Sequence, residues 1–251
     1  MKDWLIVVPA RLGSTRLPKK PLVDLAGKPL IVRVVENLTN LIHRGAEVVV
    51  ATDSADIIQV CKSANIAVQM TRLDHHSGTD RCLEVANATP KKFVMNVQGD
   101  EPFICLTALE GLADFVESGR YEMATLAYCN RHKDAFESSN IVKIALCENT
   151  KRALYFSRSP IPNRTRYIYD DHLFGFWQHI GVYAYKIETL RKFCSFSPSL
   201  LEQMESLEQL RALENGIEIG VVYSEKPSIG IDTFEDLEKA RERLAKAEKI
   251  V

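Results

Sequence analysis

The segment Trp4-Leu-Ile-Val-Val8 is apolar at every position, rich in β-branched side chains, and ends at Pro9. A strand exposed on one face alternates polar and apolar residues, so this unbroken run predicts a central strand covered on both faces. It is far too short for a secretory leader or a membrane span of ~20 residues. Pro29 then opens a helical pattern in which Leu30, Val34, Leu38 and Leu41 recur on one face, with Gly45 just past its end. The unit repeats. Glu47 to Thr52 reads as a strand, Ser54 to Lys62 as a helix capped by Ser54, and Ala67 to Gln69 as a short strand. Thr79 to Ala88 reads as a helix, Phe93 to Gln98 as a strand and Thr107 to Glu117 as a helix. Strands alternating with helices predict parallel βαβ units and a layered α/β domain.

The second half is less regular. Met123 to Cys129, Ile141 to Leu146 and His179 to Tyr185 read as strands, and Ser157 to Trp177, rich in Arg, Pro and aromatics, fits no element. A helix from Leu201 to Asn215, a strand Ile217 to Val222 and a helix from Thr233 close the chain. Leu200, Leu201, Met204, Leu207 and Leu210 recur at helical spacing, a stripe for the core or for a subunit contact, while Glu202, Glu205, Glu208 and Gln209 form a face expected to be mostly solvated.

The 251 residues carry 32 Lys and Arg against 33 Asp and Glu, so no net field draws the chain to nucleic acid or to an anionic membrane. Six cysteines, no two closer than 18 residues, provide no C-x-x-C pair for zinc, and a chain of this size needs no disulfide framework. The expected compartment is the cytoplasm.

In open α/β sheets ligands bind beyond the carboxyl ends of the strands. The loop after the first strand carries Arg11, Arg16, Lys19 and Lys20 with no acid before Asp24, and Gly13, Ser14 and Thr15 add small donors, which suits a polyphosphate. No G-x-G occurs and Gly27-Lys28 lacks the upstream glycine of a P-loop, so the usual dinucleotide and NTPase folds lose support. The strand Phe93 to Gln98 runs into Gly99-Asp100-Glu101-Pro102, which sets a carboxylate at the same sheet edge. An acid beside phosphate calls for a hard divalent ion such as Mg²⁺, although Asp100 in a plain turn fits the same residues. Asp232, followed three positions later by Glu235 at a helix start, has a capping pattern as well as a carboxylate to spare. His75 and His76 sit in a polar loop before a helix that Ser77 or Thr79 would cap; with no H-E-x-x-H motif they favour hydrogen-bonded structure over zinc.

Taken together the segments resemble the 3-deoxy-manno-octulosonate cytidylyltransferase family over nearly the whole length. The resemblance is carried by V-P-A-R-x-x-S-T-R-L-P-x-K-P-L at Val8 to Leu22, A-T-D at Ala51 to Asp53, T-R-x-D-H-x-S-G-T at Thr71 to Thr79 and V-Q-G-D-E-P at Val97 to Pro102. Y-F-S-R at Tyr155 to Arg158, H-I-G-V-Y at His179 to Tyr183, L-E-Q-L-R at Leu207 to Arg211 and G-I-D-T at Gly230 to Thr233 complete it.

The resemblance implies a nucleotide-diphospho-sugar transferase fold with a mostly parallel central sheet and a smaller irregular lobe. In one domain, 1–251, residues 1–120 would form the nucleotide-binding part, about 121–215 the sugar-binding and dimerisation part, and 216–251 would return to the main sheet. It further implies a homodimer that transfers CMP from CTP to 3-deoxy-D-manno-octulosonate for lipopolysaccharide biosynthesis, with Mg²⁺. Arg11 and Lys20 match residues that hold the triphosphate, and Asp100 and Asp232 the Mg²⁺ ligands; these four are the expected catalytic groups. Thr52, Asp53, Arg72, Ser77 and Gln98 match the nucleotide pocket, and Arg158, His179, Tyr183, Glu208 and Gln209 the surroundings of the acidic sugar. Two positions depart from the pattern: Lys19, where relatives often carry glycine, and Gln178, where they often carry a basic residue. A sialic acid cytidylyltransferase and a non-catalytic nucleotide-sugar sensor remain as alternatives.

Overall fold

The computed structural model describes residues 1–14, 16–75, 77–163 and 175–248. They fall into two compact units, Met1–Leu106 with Ser228–Val251, and Thr107–Pro227. Thr15, His76, residues 164–174 of the unassigned stretch and the end of the last helical pattern lie outside the described residues.

The first unit begins with β1 (Trp4–Ala10), followed by a 3-10 turn at Lys20–Leu22, α1 (Leu30–Asn37), α2 (Thr39–His43), β2 (Glu47–Thr52), α3 (Ala55–Ser63), β3 (Val68–Met70), α4 (Gly78–Ala86) and β4 (Phe93–Asn96). Its strands run parallel in the order β3-β2-β1-β4. The expected central strand is β1: Trp4 through Val8 have no solvent exposure, and Trp4 stacks on Phe93 with ring centroids 5.0 Å apart. The Ser54 hydroxyl accepts from Ile57 N–H and caps α3, and Ser77 accepts from Asp80 N–H and caps α4. Parallel order and these caps bring the ends of β1, β2, β3 and β4 to one edge.

The second unit holds α5 (Leu106–Glu117, of which Leu106 counts with the first unit), β5 (Met123–Asn130), α6 (Lys133–Glu137), β6 (Lys143–Cys147), β7 (Arg152–Ser157), β8 (Phe176–Lys186), α7 (Ile187–Ser195), α8 (Leu200–Glu205), α9 (Gln209–Glu214) and β9 (Ile219–Ser224). β5 pairs antiparallel with β8 and parallel with β9; β7 pairs antiparallel with β6 and β9, and β6 also pairs antiparallel with β8, so the pairings close on themselves. The single helix expected over Leu201 to Asn215 is two: Ser206 takes a left-handed conformation at φ 53° and ends α8. The break divides the apolar stripe. Leu207 and Leu210 are buried, whereas Leu200 and Met204 stay exposed. The chain then returns to the first unit as α10 (Phe234–Glu248).

Candidate active site

A cleft of about 340 Å³ opens at the carboxyl edge of the first unit, lined by Arg11, Gly13, Ser14, Arg16 and Lys20 of the loop after β1, by His75, Ser77, Gly78 and Arg81, and by Gln98, Asp100 and Asp232. Leu17, fully buried, anchors the basic loop. Gly99 lets the β4 loop come close to β1: a Cβ there would lie 2.7 Å from the Pro9 carbonyl oxygen. Asp100 is then joined to the far end of the chain, because Ile231 N–H donates to its carbonyl at 2.9 Å. The Ser228 hydroxyl donates to the Glu101 carboxylate, whose pKa burial and the neighbouring Asp100 charge push up to about 7.

These links bring two carboxylates to one point. Lys20 Nζ donates to Asp100 Oδ2 at 2.5 Å and to Asp232 Oδ1 at 2.9 Å, and Arg16 Nη2 lies 3.1 Å from Asp232 Oδ2. Burial alone would lower the Lys20 pKa and raise that of Asp232; the Asp100 and Asp232 carboxylates reverse the first, and Lys20 together with Arg16 reverses the second. Arg11 lines the same cleft and makes no ion pair with any described residue. The Ser77 cap places the N-terminus of α4 at the cleft as well, where free N–H groups favour an anion. Four cations and a helix N-terminus against two carboxylates make a site for a polyphosphate with room for charge compensation.

Asp232 does not cap α10. The cap is Thr233, whose hydroxyl accepts from Asp236 N–H at 3.2 Å while the Asp236 carboxylate accepts from Thr233 N–H at 2.9 Å. The capping box is therefore shifted one residue from the Asp232/Glu235 pattern, and both Asp232 side-chain oxygens face cations instead.

In the second unit, Thr125 Oγ1 donates to Val182 O at 2.7 Å and lies 3.0 Å from His179 Nε2, which assigns the proton to Nε2. Burial pushes His179 down to about 3, so its ring is neutral at physiological pH. Its ring lies 5.4 Å from that of Tyr183, whose phenol burial and the Glu208 charge hold well above the usual range. The Gln209 side-chain nitrogen is buried without a hydrogen-bond partner among the described residues. Arg158 donates from Nε to Glu205 O at 2.8 Å, from Nη1 to Ser139 O at 3.1 Å and from Nη2 to Ser206 O at 3.4 Å.

The cytidylyltransferase family profile matches residues 5–219. A 3-deoxy-manno-octulosonate cytidylyltransferase of Polynucleobacter asymbioticus is 42% identical over 96% of each chain, and one of Herminiimonas arsenicoxydans is 45% identical over 95% of this chain and 98% of the relative. A solved CMP:2-keto-3-deoxy-manno-octonic acid synthetase complexed with CTP is 37% identical with a TM-score of 0.89, over 97% of this chain and 99% of that one. The chain belongs to the 3-deoxy-manno-octulosonate cytidylyltransferase family.

Within this cytidylyltransferase, Arg11, Lys20, Ser77, Gln98, Asp100 and Asp232 share the cleft. Thr52, Asp53 and Arg72 do not line it. Thr52 is fully buried and its hydroxyl accepts from Ser54 N–H at 3.1 Å; Asp53 holds Arg81, and Arg72 lies at the surface 3.3 Å from Asp74. The sequence reading missed Arg81, whose Nη2 donates to Asp53 Oδ2 at 2.7 Å and whose Nη1 bonds the Thr71 hydroxyl. Its position one helical turn after Ser77 was the available signal. His75 is tied to the Glu84 carboxylate, the hydrogen-bonded role expected of it, and also lines the cleft. The acidic face of α8 and α9 is not mostly solvated: Glu205 accepts from the Ser157 hydroxyl at 2.6 Å and Arg158 N–H at 2.9 Å, and Glu202 Oε2 lies 2.9 Å from Arg211 Nε.

Proposed function

We propose that the chain transfers CMP from CTP to 3-deoxy-D-manno-octulosonate, giving the CMP-sugar and pyrophosphate for lipopolysaccharide biosynthesis in the cytoplasm. The observation that carries this reading is the meeting of Asp100 and Asp232 on the Lys20 ammonium inside a cleft lined by further cations. Arg11 and Lys20 hold the triphosphate, with Arg16 beside them. The anomeric hydroxyl of the sugar attacks the α-phosphorus in line, its oxygen bonds to phosphorus, the bridge to the β-phosphate breaks, and the hydroxyl proton leaves to solvent. No side chain forms a covalent bond; the protein holds two anions together and answers the charge that grows on the departing pyrophosphate.

Asp100 and Asp232 fit a Mg²⁺ ion: their oxygens converge on one cation, and this ion takes one or two carboxylates with phosphate oxygens and water. No cluster of three or more ligating side chains occurs among the described residues, and an ion held by Asp100 and Asp232 would draw its other ligands from phosphate and water. When bound, the ion neutralises charge on the transferring and leaving phosphate groups.

Residues 1–120 form the nucleotide part, with Gln98 and Ser77 lining the pocket. Thr52, Asp53 and Arg72 serve it from behind by fixing the ends of β2 and β3. Residues 121–215 form the sugar part, with Arg158 taking the sugar carboxylate in a geometry lysine lacks. His179, Tyr183, Glu208 and the Gln209 amide nitrogen, which has no hydrogen-bond partner among the described residues, meet its hydroxyl groups. The chain works as a homodimer through this part, where Leu200 and Met204 of α8 are exposed by 68% and 73%. No helix among the described residues is long and apolar enough to cross a membrane.

Pyrophosphate release with CTP, Mg²⁺ and the octulosonate, run beside UTP and sialic acid, tests the reading. Release with CTP and the octulosonate is expected. Faster release with sialic acid moves the assignment to that sugar, and CTP binding without turnover makes the chain a sensor.

A further inference from the structure

Lys143, the first residue of β6, has no solvent exposure, a rare place for an ammonium group. Its Nζ donates to three backbone carbonyls, Ser138 at 2.7 Å, Ile141 at 2.8 Å and Arg158 at 2.6 Å. Three donors meet three acceptors, so the amine has no valence left for substrate or for proton transfer. Its bonds join one turn to one residue. Ser138 and Ile141 lie in the connection between α6 and β6, and Arg158 follows β7.

Arg158 grips the same connection from its own side, with Nη1 on Ser139 O. Its Nε and Nη2 reach the carbonyls of Glu205 and Ser206, and its N–H is held by the Glu205 carboxylate at 2.9 Å. A guanidinium has five N–H groups. Among the described residues these carbonyls take three, which leaves one on each terminal nitrogen, the number that a two-oxygen carboxylate accepts.

We propose that Lys143 is a positioning residue for the sugar-carboxylate site, tying the Ser138–Ile141 connection to the Arg158 backbone and thereby fixing the direction of the Arg158 guanidinium. The inference rests on the reading that Arg158 receives the sugar carboxylate. Without the Lys143 ammonium, three carbonyls lose their donor, the connection shifts, and Arg158 loses the Ser139 contact that orients it. A displacement of order 1 Å is enough to weaken a two-point contact.

The test compares Lys143→Gln, Lys143→Met and Arg158→Lys, with KM for CTP and for the octulosonate measured separately by pyrophosphate release and folding followed by circular dichroism. We expect each variant to raise the sugar KM about tenfold or more with the CTP KM within about twofold. Lys143→Gln added to Arg158→Lys should cost less than about threefold further, since Lys143 acts through Arg158. A folded Lys143→Gln with unchanged sugar KM, while Arg158→Lys raises it, overturns the inference and leaves the sugar reading standing. An unchanged sugar KM in Arg158→Lys removes the sugar reading itself. Equal rises in both KM values, or loss of fold in both Lys143 variants, assigns Lys143 to stability alone and also overturns the proposal.

Discussion

Lys20 Nζ and Asp232 Oδ1 lie 2.9 Å apart across 212 positions of sequence, and the same nitrogen bonds Asp100. One ammonium holds together two carboxylates that would otherwise repel. The pH consequence follows from the two shifts. Lys20 is raised above 10.5, so its contribution to stability is complete below that value and disappears as pH rises through the folded pKa. Asp232 is depressed below 3.8, so its contribution is complete above that value and disappears as pH falls through the folded pKa. The cluster is intact throughout the neutral range.

Because Thr233 and Asp236 cap α10, function and capping separate by mutation. Asp232→Asn and Asp100→Asn should each lower kcat by on the order of 10²-fold, as loss of a preorganised electrostatic group does. Thr233→Ala should instead cost about 1 kcal/mol of stability and leave kcat near its starting value. Thermal denaturation and turnover on the same samples check this, and a fully active Asp232→Asn would end its proposed metal role.

Arg81 and Asp53 have side chains only 4% and 16% exposed. Asp53→Asn leaves the guanidinium buried beside a neutral amide, and we expect a loss of about 3 kcal/mol in urea denaturation. The CTP KM should rise with it, because Arg81 lines the cleft. A loss below about 0.5 kcal/mol, typical of an exposed pair, would contradict the burial argument.

His179 is held near 3 by burial, below its ordinary 6.5. Between those values the unfolded chain binds the extra proton, so stability falls as pH drops below 6.5 and is complete above it. The slope attributable to one proton is about 1.4 kcal/mol per pH unit. His179→Gln should flatten unfolding free energy against pH in this window; an unchanged slope would show that the ring is not neutral in the folded protein.

Lys19 adopts φ 52°, a left-handed conformation that strains side chains with a Cβ, and its Nζ is 3.9 Å from Asp56. Lys19→Gly relieves strain but loosens the unfolded chain, so we expect a change within about 1 kcal/mol. Lys19→Val should cost about 1–2 kcal/mol, since β-branched residues tolerate this region least. Equal stabilities for the two variants in denaturant titration would argue against the left-handed conformation.

Sequence alone determined the parts whose cause is local. β1 followed from five consecutive apolar residues, β2 matched its expected bounds Glu47–Thr52, and the Ser54 cap followed from a hydroxyl preceding a helical pattern, whereas the cap of α4, open in the sequence between Ser77 and Thr79, is Ser77. Of the catalytic and nucleotide-pocket residues expected from the family motifs, Arg11, Lys20, Ser77, Gln98, Asp100 and Asp232 share the cleft lining and Thr52, Asp53 and Arg72 stand outside it, while Arg16, His75 and Arg81 line it without having been among them. What sequence pattern left undecided depends on partners distant in the chain. The break at Ser206 lies inside a run whose apolar spacing continues without interruption, so only packing chose to bury Leu207 and expose Met204. The capping pattern at Asp232 and Glu235 was real as a pattern, yet long-range attraction to Lys20 and Arg16 drew the carboxylate away and the cap moved to Thr233. Lys143 carries no local mark of its burial and Arg81 only its place one helical turn after Ser77, because a lysine or arginine declares itself buried only when carbonyls or a carboxylate from other segments arrive to accept its hydrogen bonds. Periodicity records which face of an element is apolar; which charges meet is decided by the tertiary fold, since electrostatic partners are selected by distance in space and not by spacing along the chain.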